Sequence, residues 1–290
     1  MIRIDWKTLD SVAQEYVERL IEWAKIHSHS CLQTKILKNM SVEDFKSLIL
    51  CPPHRLSSLT TPTNMAGQWF ITTYKKFFKD SGQDGENNAS WLTQKLNINV
   101  CPYCNRTYIF TLKGKKPKSR CVRPELDHFY PKAKYNFLAL SFYNLIPSCP
   151  SCNHLKSTKE FDFHPYAGSL NASSEPVFKV KNYSRFIDGE FILFPEKPEI
   201  SIESPNTNTK ELCLEQLYEL HSDYVKEILD KIQAYNASLY MPLIDSFRSV
   251  GRTPEEINRL IWGNYIEKEG YTKRPLSKLT HDILEQFGII

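Results

Sequence analysis

Apolar side chains recur at helical spacing over residues 8–27, where Val12, Tyr16, Val17, Leu20, Ile21, Trp23 and Ala24 share one face. That spacing predicts an amphipathic helix. Ser41, followed three residues on by Asp44 and then by Phe45 and Leu48, marks a second helix start, and Pro52-Pro53 marks its end. Residues 64–79 carry Trp69, Phe70, Tyr74, Phe77 and Phe78, an aromatic-rich helix whose rings are expected to pack in a core. Residues 81–89 read as a loop and 91–96 as a short helix. Residues 1–97 are thus expected to form a helical lobe.

The pattern then changes period. Alternation predicts strands at 108–112, 177–180, 187–194 and 200–203, with a turn at 114–118 and an extended stretch at 121–129. Asp188-Gly189 is a tight-hairpin signal. Helical spacing returns from Thr209 to about Asn236, with a break near Pro242. Thr253-Pro254-Glu255-Glu256 is a capping box with proline at the first helical position, opening a helix to about Glu269. Residues 278–287 read as a last short helix. The expected class is α+β, in four segments: a helical lobe (1–97), a central core (98–168), a strand insertion (169–208) and a C-terminal helical lobe (209–290).

Composition narrows the class. A chain of 290 residues, 41% hydrophobic and 24% charged, can bury a core, which excludes wholesale disorder. No apolar run reaches the roughly 18–20 residues needed to span a membrane. Residues 1–7 are polar, without the apolar stretch of a secretory signal. The expectation is a soluble, cytoplasmic protein with no membrane partner. Four of the eight cysteines form two tight pairs, Cys101-x2-Cys104 and Cys149-x2-Cys152. This spacing lets each turn present two thiolates to one ion, and two such turns make a tetrahedral structural zinc site. Cys31, Cys51, Cys121 and Cys213 lack paired spacing and read as ordinary thiols.

Between the pairs lies a second constellation. Asp127-His128 is an acid–imidazole pair, followed sixteen residues on by Asn144 and nine further by Asn153. Imidazole takes protons near neutral pH. A carboxylate and a carboxamide oxygen suit a hard divalent ion such as Mg²⁺. A base and one hard metal suffice to hydrolyse a phosphodiester. Because strand side chains alternate faces, Asp127 and His128 can share a site only where the strand ends or bulges.

The runs CPYC (101–104), LDHFYPK (126–132) and NLIPSCPSCN (144–153) resemble the HNH nucleases, whose ββα-metal core is a hairpin followed by a helix. The resemblance covers residues 100–161. It implies His128 as general base, Asp127 as metal ligand, Asn144 as the residue tying the hairpin loop, and Asn153 in the place of the final histidine, with His154 as a competitor. It implies structural Zn²⁺ on the four cysteines and catalytic Mg²⁺ or Mn²⁺ on Asp127 and Asn153. More narrowly, the motifs resemble the HNH effectors of Septu and retron-type bacterial anti-phage systems, which work beside an SMC-like ATPase. The chain has no phosphate-binding GxxxxGK[ST] loop of its own.

Charge agrees with a polyanionic substrate. Net charge is only +4, yet residues 106–134 hold nine basic residues against two acidic ones. Arg106, Lys115, Lys116, Lys132 and Lys156 are the expected nucleic-acid contacts, with Lys156 near a helix start where phosphate is favoured. His164 is expected to be a packed loop histidine and His221 a surface one. The sequence therefore points to a metal-dependent endonuclease acting on DNA. An RNase or tRNA nuclease with the same core, and a non-catalytic zinc-braced nucleic-acid-binding adaptor, are the alternatives.

Overall fold

The computed structural model describes residues 1–59, 66–82, 84–112, 122–170, 175–185, 192–235 and 237–290. The chain forms two compact units, one of residues 3–103 and 107–172, the other of residues 1–2, 104–106 and 173–290.

In the first unit, helix α1 (Asp10–Ile26) buries the predicted stripe, with Ala13 joining it and Val12 half-buried. Helix α2 (Val42–Ile49) starts where Ser41 Oγ accepts from the Asp44 amide at 3.0 Å. Helix α3 (Gln68–Lys79) buries Phe70, Phe77 and Phe78. Tyr16 of α1 packs on Phe77 and Phe78, and Trp23 on Phe77. These aromatics are core, as expected. Helix α4 (Asn88–Leu96) is capped by the Asn87 side chain and closed by Asn97 in the left-handed region, φ 50°.

The centre of this unit is a small hairpin. Strand β1 (Glu125–His128) runs antiparallel to β2 (Leu145–Ser148), pairing Asp127 with Ile146 and His128 with Leu145. Helix α5 (Pro150–Lys156) follows directly, with proline at its first position. A minimal pair, β3 (Phe163–His164) and β4 (Gly168–Ser169), completes the unit. Helix α3 packs across the 3₁₀ turn Asn136–Leu140 of the β1–β2 loop. Tyr16 of α1 donates to the Leu140 carbonyl at 3.0 Å. Residues 3–97 are therefore not a detached lobe; they are the wall against which the hairpin loop is built.

The strand expected at 108–112 is extended but makes only isolated bridges, Val100 with Tyr108 and Leu112 with Val122. The lysine-rich turn that should follow it lies outside the described residues.

In the second unit, β5 (Val177–Val180) pairs antiparallel with β8 (Ile200–Glu203), and β6 (Ser184–Arg185) with β7 (Ile192–Leu193). The Asp188-Gly189 turn lies outside the described residues. The long helix expected over 209–236 is three: α6 (Thr207–Glu211), α7 (Leu214–Glu219) and α8 (Ser222–Ala234). Cys213 adopts φ 50°, a left-handed backbone that no helix can continue through, and this breaks the first two apart. A further helix, α9 (Ala237–Ser249), runs through Pro242, where a break was expected. Helix α10 (Pro254–Trp262) has the predicted capping box on Thr253, but Gly263 at φ 72° ends it earlier than expected. Helix α11 (Ser277–Gln286) covers the edge of β5 with side chains. Asp282 accepts from the Phe178 amide and Gln286 from the Val180 amide, each at 2.9 Å. A strand edge is thereby satisfied without another strand.

His164 lies fully buried in β3, packed on Phe129 and Tyr166, with its Nδ1 accepting from the Tyr166 amide at 3.0 Å. Burial pushes its pKa down to about 3, against about 6.5 in an unfolded chain. The unfolded chain thus gains a proton near pH 6.5 that the folded protein refuses until far lower. Stability from this residue is complete above pH 6.5 and is lost as pH falls towards 3. The melting temperature should drop between pH 7 and pH 5, and His164→Gln should flatten that drop. An unchanged pH slope in this variant would rule out His164 as its source.

Candidate metal centre and acid–imidazole cleft

Cys101, Cys104, Cys149 and Cys152 are buried, and their Sγ atoms all lie within 4.8 Å of one another. None is in a disulfide. Four sulfurs around one zinc at a Zn–S distance of about 2.3 Å need such spacing. The Cys149 amide points at Cys101 Sγ at 3.3 Å and the Arg106 amide at Cys104 Sγ at 3.4 Å. Such N–H···S contacts favour the thiolate that a metal requires. The donor set fits a structural metal such as zinc. Of the remaining cysteines, Cys31 is half-buried, Cys51 buried and Cys213 exposed, while Cys121 lies outside the described residues.

A cleft of about 340 Å³ lies beside α5, lined by Asp127, His128, Lys132, Asn153 and His154 among others. Asp127 and His128, the last two residues of β1, both line it.

Each side chain is held by specific partners. The buried His128 sets its Nε2 against the Ala139 carbonyl at 3.1 Å, and its Nδ1 lies 3.5 Å from Lys132 Nζ. A carbonyl can only accept, so the proton sits on Nε2 and Nδ1 carries the lone pair. The Tyr74 ring of α3 meets the imidazole edge-on at 4.6 Å. Burial, reinforced by the Lys132 ammonium, pushes the His128 pKa down to about 3, so the ring is neutral through the ordinary pH range. The near-neutral titration expected from the residue type alone does not apply to this buried ring.

Asp127 accepts from Tyr103 Oη at 2.6 Å and from Lys156 Nζ at 3.1 Å. Burial raises this carboxyl and lowers the Lys156 ammonium, and their mutual attraction opposes both shifts. Asn144, wholly buried, accepts from the Tyr130 amide at 2.7 Å and donates to the carbonyls of Tyr130 and Leu138, each at 3.1 Å. It ties together the loop that holds Ala139 against His128. Asn153 donates to Glu125 Oε2 at 2.6 Å, which leaves its amide oxygen as the ligand-type atom. The Asp127 carboxylate and the Asn153 oxygen are hard donors on one cleft, a set that fits a divalent ion keeping most of its waters.

The expected polyanion contacts divide. Lys132 lines the cleft and its ammonium lies 5.2 Å from the Tyr74 ring centre. Lys156 is the last residue of α5, not near its start, and is 0% exposed, bonded to Asp127 and to the His128 carbonyl at 2.7 Å. A fully enclosed ammonium cannot meet a phosphate at the surface, so Lys156 is an internal counter-ion. Arg106 donates to His221 Nε2 at 2.9 Å, which makes His221 half-buried rather than a plain surface residue. Lys115 and Lys116 lie outside the described residues.

Tyr103, Tyr74 and Glu125 were not singled out from the sequence. Tyr103 stands inside the Cys101–Cys104 pair and Glu125 two residues before Asp127, on the same strand face. That spacing was the available signal for Glu125; Tyr74 carried none, because only folding brings α3 to β1. No family model, curated protein or solved structure matches this chain.

Freshly purified protein should contain one zinc equivalent per chain by elemental analysis. Cys152→Ser should lose that zinc and several degrees of melting temperature. Zinc-free protein with unperturbed stability would refute the assignment.

Proposed function

We propose that the protein is a metal-dependent endonuclease of the HNH class, acting on DNA. The observation that carries this reading is the His128 imidazole, held neutral with Nε2 on a backbone carbonyl and its Nδ1 lone pair on a cleft that Asp127 and Asn153 also line. A binding module has no use for a base so oriented. The hairpin–helix arrangement β1–β2–α5, the loop-tying Asn144 and the four-cysteine cluster support the same reading.

In this mechanism His128 Nδ1 takes a proton from water as the water oxygen attacks phosphorus and the ester P–O bond breaks. The Ala139 carbonyl steadies the imidazolium formed, through its bond to Nε2. Lys132 places a positive charge beside the scissile phosphate. Asp127 and Asn153 would hold Mg²⁺ or Mn²⁺, which supplies Lewis-acid stabilisation of the phosphate when bound. Tyr103 and Lys156 fix the orientation of the Asp127 carboxylate. Hydrolysis engages phosphate rather than sugar, so this chemistry would serve RNA equally. The DNA assignment rests on the motif resemblance.

His128→Ala should reduce cleavage of plasmid by about 10²–10⁴-fold while zinc content stays unchanged, and the cavity left at this buried site should lower the melting temperature by a few degrees. Activity should need added Mg²⁺ or Mn²⁺, and parallel assays on plasmid and total RNA separate the two substrates. Residual activity above about a tenth of wild type would remove His128 as the base.

The same resemblance carries the proposal that the protein serves antiviral defence together with an SMC-like ATPase. Helix α9 supports a docking role in a limited way: none of its described side chains is buried, and Leu239 and Met241 are about half exposed. Co-purification of tagged protein from its native host should recover the ATPase. Recovery of the protein alone, with full activity on plasmid, would dismiss the partner and leave the nuclease standing.

A further inference from the structure

Residues 107–112 form an extended segment fixed from beneath. The Cys101 amide donates to the Thr107 carbonyl at 3.0 Å and the Ile109 amide to the Asn99 carbonyl at 2.9 Å. Ile109 is buried, and Thr111 Oγ1 bonds Thr93 Oγ1 of α4 at 2.9 Å. The opposite face carries alternate residues outward: Tyr108 (46% exposed), Phe110 (53%) and Leu112 (62%), with Val122 (63%) paired across from Leu112. The Tyr108 and Phe110 rings lie stacked, centroids 4.6 Å apart and planes 18° from parallel. An anchored strand normally turns such residues inward, and four large apolar side chains on one solvent face mark a contact surface.

Charge decides what the surface suits. Between Cys104 and Glu125 the sequence has seven basic residues and no acidic one; Arg123 is exposed beside Val122, Arg106 bonds His221, and the other five lie outside the described residues. An apolar protein partner has no need of that excess, whereas a polyanion with flat apolar rings does. Arg123, exposed beside Val122, lies close enough to Tyr74 for its charge to lower that phenol's pKa, in opposition to the larger effect of burial. Tyr74 in turn packs on His128. From Val122 the chain reaches His128 in six residues, at most about 20 Å at strand spacing.

We propose that Tyr108, Phe110, Leu112 and Val122 form a stacking platform for unpaired bases of a nucleic-acid strand, with Arg123 guiding its backbone towards the cleft. The proposal deepens the nuclease reading and rests on it for the direction of the strand. Duplex bases are already stacked on each other and offer the rings no free face, so the platform selects single-stranded or frayed segments.

The test measures fluorescence anisotropy of labelled DNA and RNA oligonucleotides, single-stranded and as blunt duplexes, on full-length protein without added divalent metal. The double variant Tyr108→Ala/Phe110→Ala should bind single strands at least about tenfold more weakly, because each stacked base contributes about 1–3 kcal/mol. Its duplex affinity, zinc content and slope of log affinity against log salt should not change. Arg123→Ala should instead reduce the salt slope by about one unit. Unchanged single-strand affinity in the double variant would overturn the platform. So would an equal loss on duplex, or a wild-type dimer that the double variant dissociates, since the face would then be a protein interface. Cleavage assays on the same proteins keep the two readings apart. A wild type that cleaves nothing yet loses single-strand binding on Tyr108→Ala/Phe110→Ala retains the platform and sinks the nuclease.

Discussion

Everything in the cleft depends on how the sixteen residues between Asp127 and Asn144 are held, and a single buried amide holds them. Asn144 accepts from the Tyr130 amide, donates to the Tyr130 carbonyl and reaches the Leu138 carbonyl beside Ala139. A carboxamide suits this place because it both donates and accepts on one rigid plane. With the loop so fixed, the Ala139 carbonyl can select the tautomer of His128. Without it, the buried Tyr130 amide and carbonyl and the Leu138 carbonyl would each lose this partner.

Two other constraints lean on this one. The four buried thiols bring the 101–104 turn against the start of α5, and that turn carries Tyr103 to Asp127. The cysteine cluster and the acid–imidazole site thus share a residue run, so a disturbed cluster would release the Asp127 carboxylate as well. Lys156, enclosed at the far end of α5, completes the enclosure of that carboxylate. Buried ion pairs of this kind are weak contributors to stability but strong determinants of geometry. The cleft is therefore pre-arranged by a four-cysteine cluster, a tyrosine and a lysine, none of which needs to touch a substrate.

The aromatic helix α3 adds the last wall. Its buried rings belong to the core, yet Tyr74 turns towards the cleft and packs edge-on against His128. One element thereby serves both the core and the wall against one side of the imidazole, whose burial keeps it neutral. This joins the N-terminal helices to the hairpin in one unit, where the change of periodicity near residue 97 had suggested a boundary.

Local pattern was enough to determine the helix stripe of α1, the capped start of α10, the strands at 177–180 and 200–203, and the four-cysteine pairing. Each of these depends on spacing within a few residues, which the chain displays directly. The residue types of the candidate site, Asp127, His128, Asn144 and Asn153, were legible in the same way. Tertiary structure alone decided the rest. It set the tautomer of His128, which comes from the Ala139 carbonyl across a folded loop, and its low pKa, which comes first from burial and then from the Lys132 ammonium. It turned Lys156 from a surface cation into a buried counter-ion, because burial depends on what α5 packs against. It broke the expected long helix at Cys213, where a left-handed backbone overrides helical propensity. Contacts between residues distant in sequence have no local signature, and those contacts fix the electrostatics of the cleft.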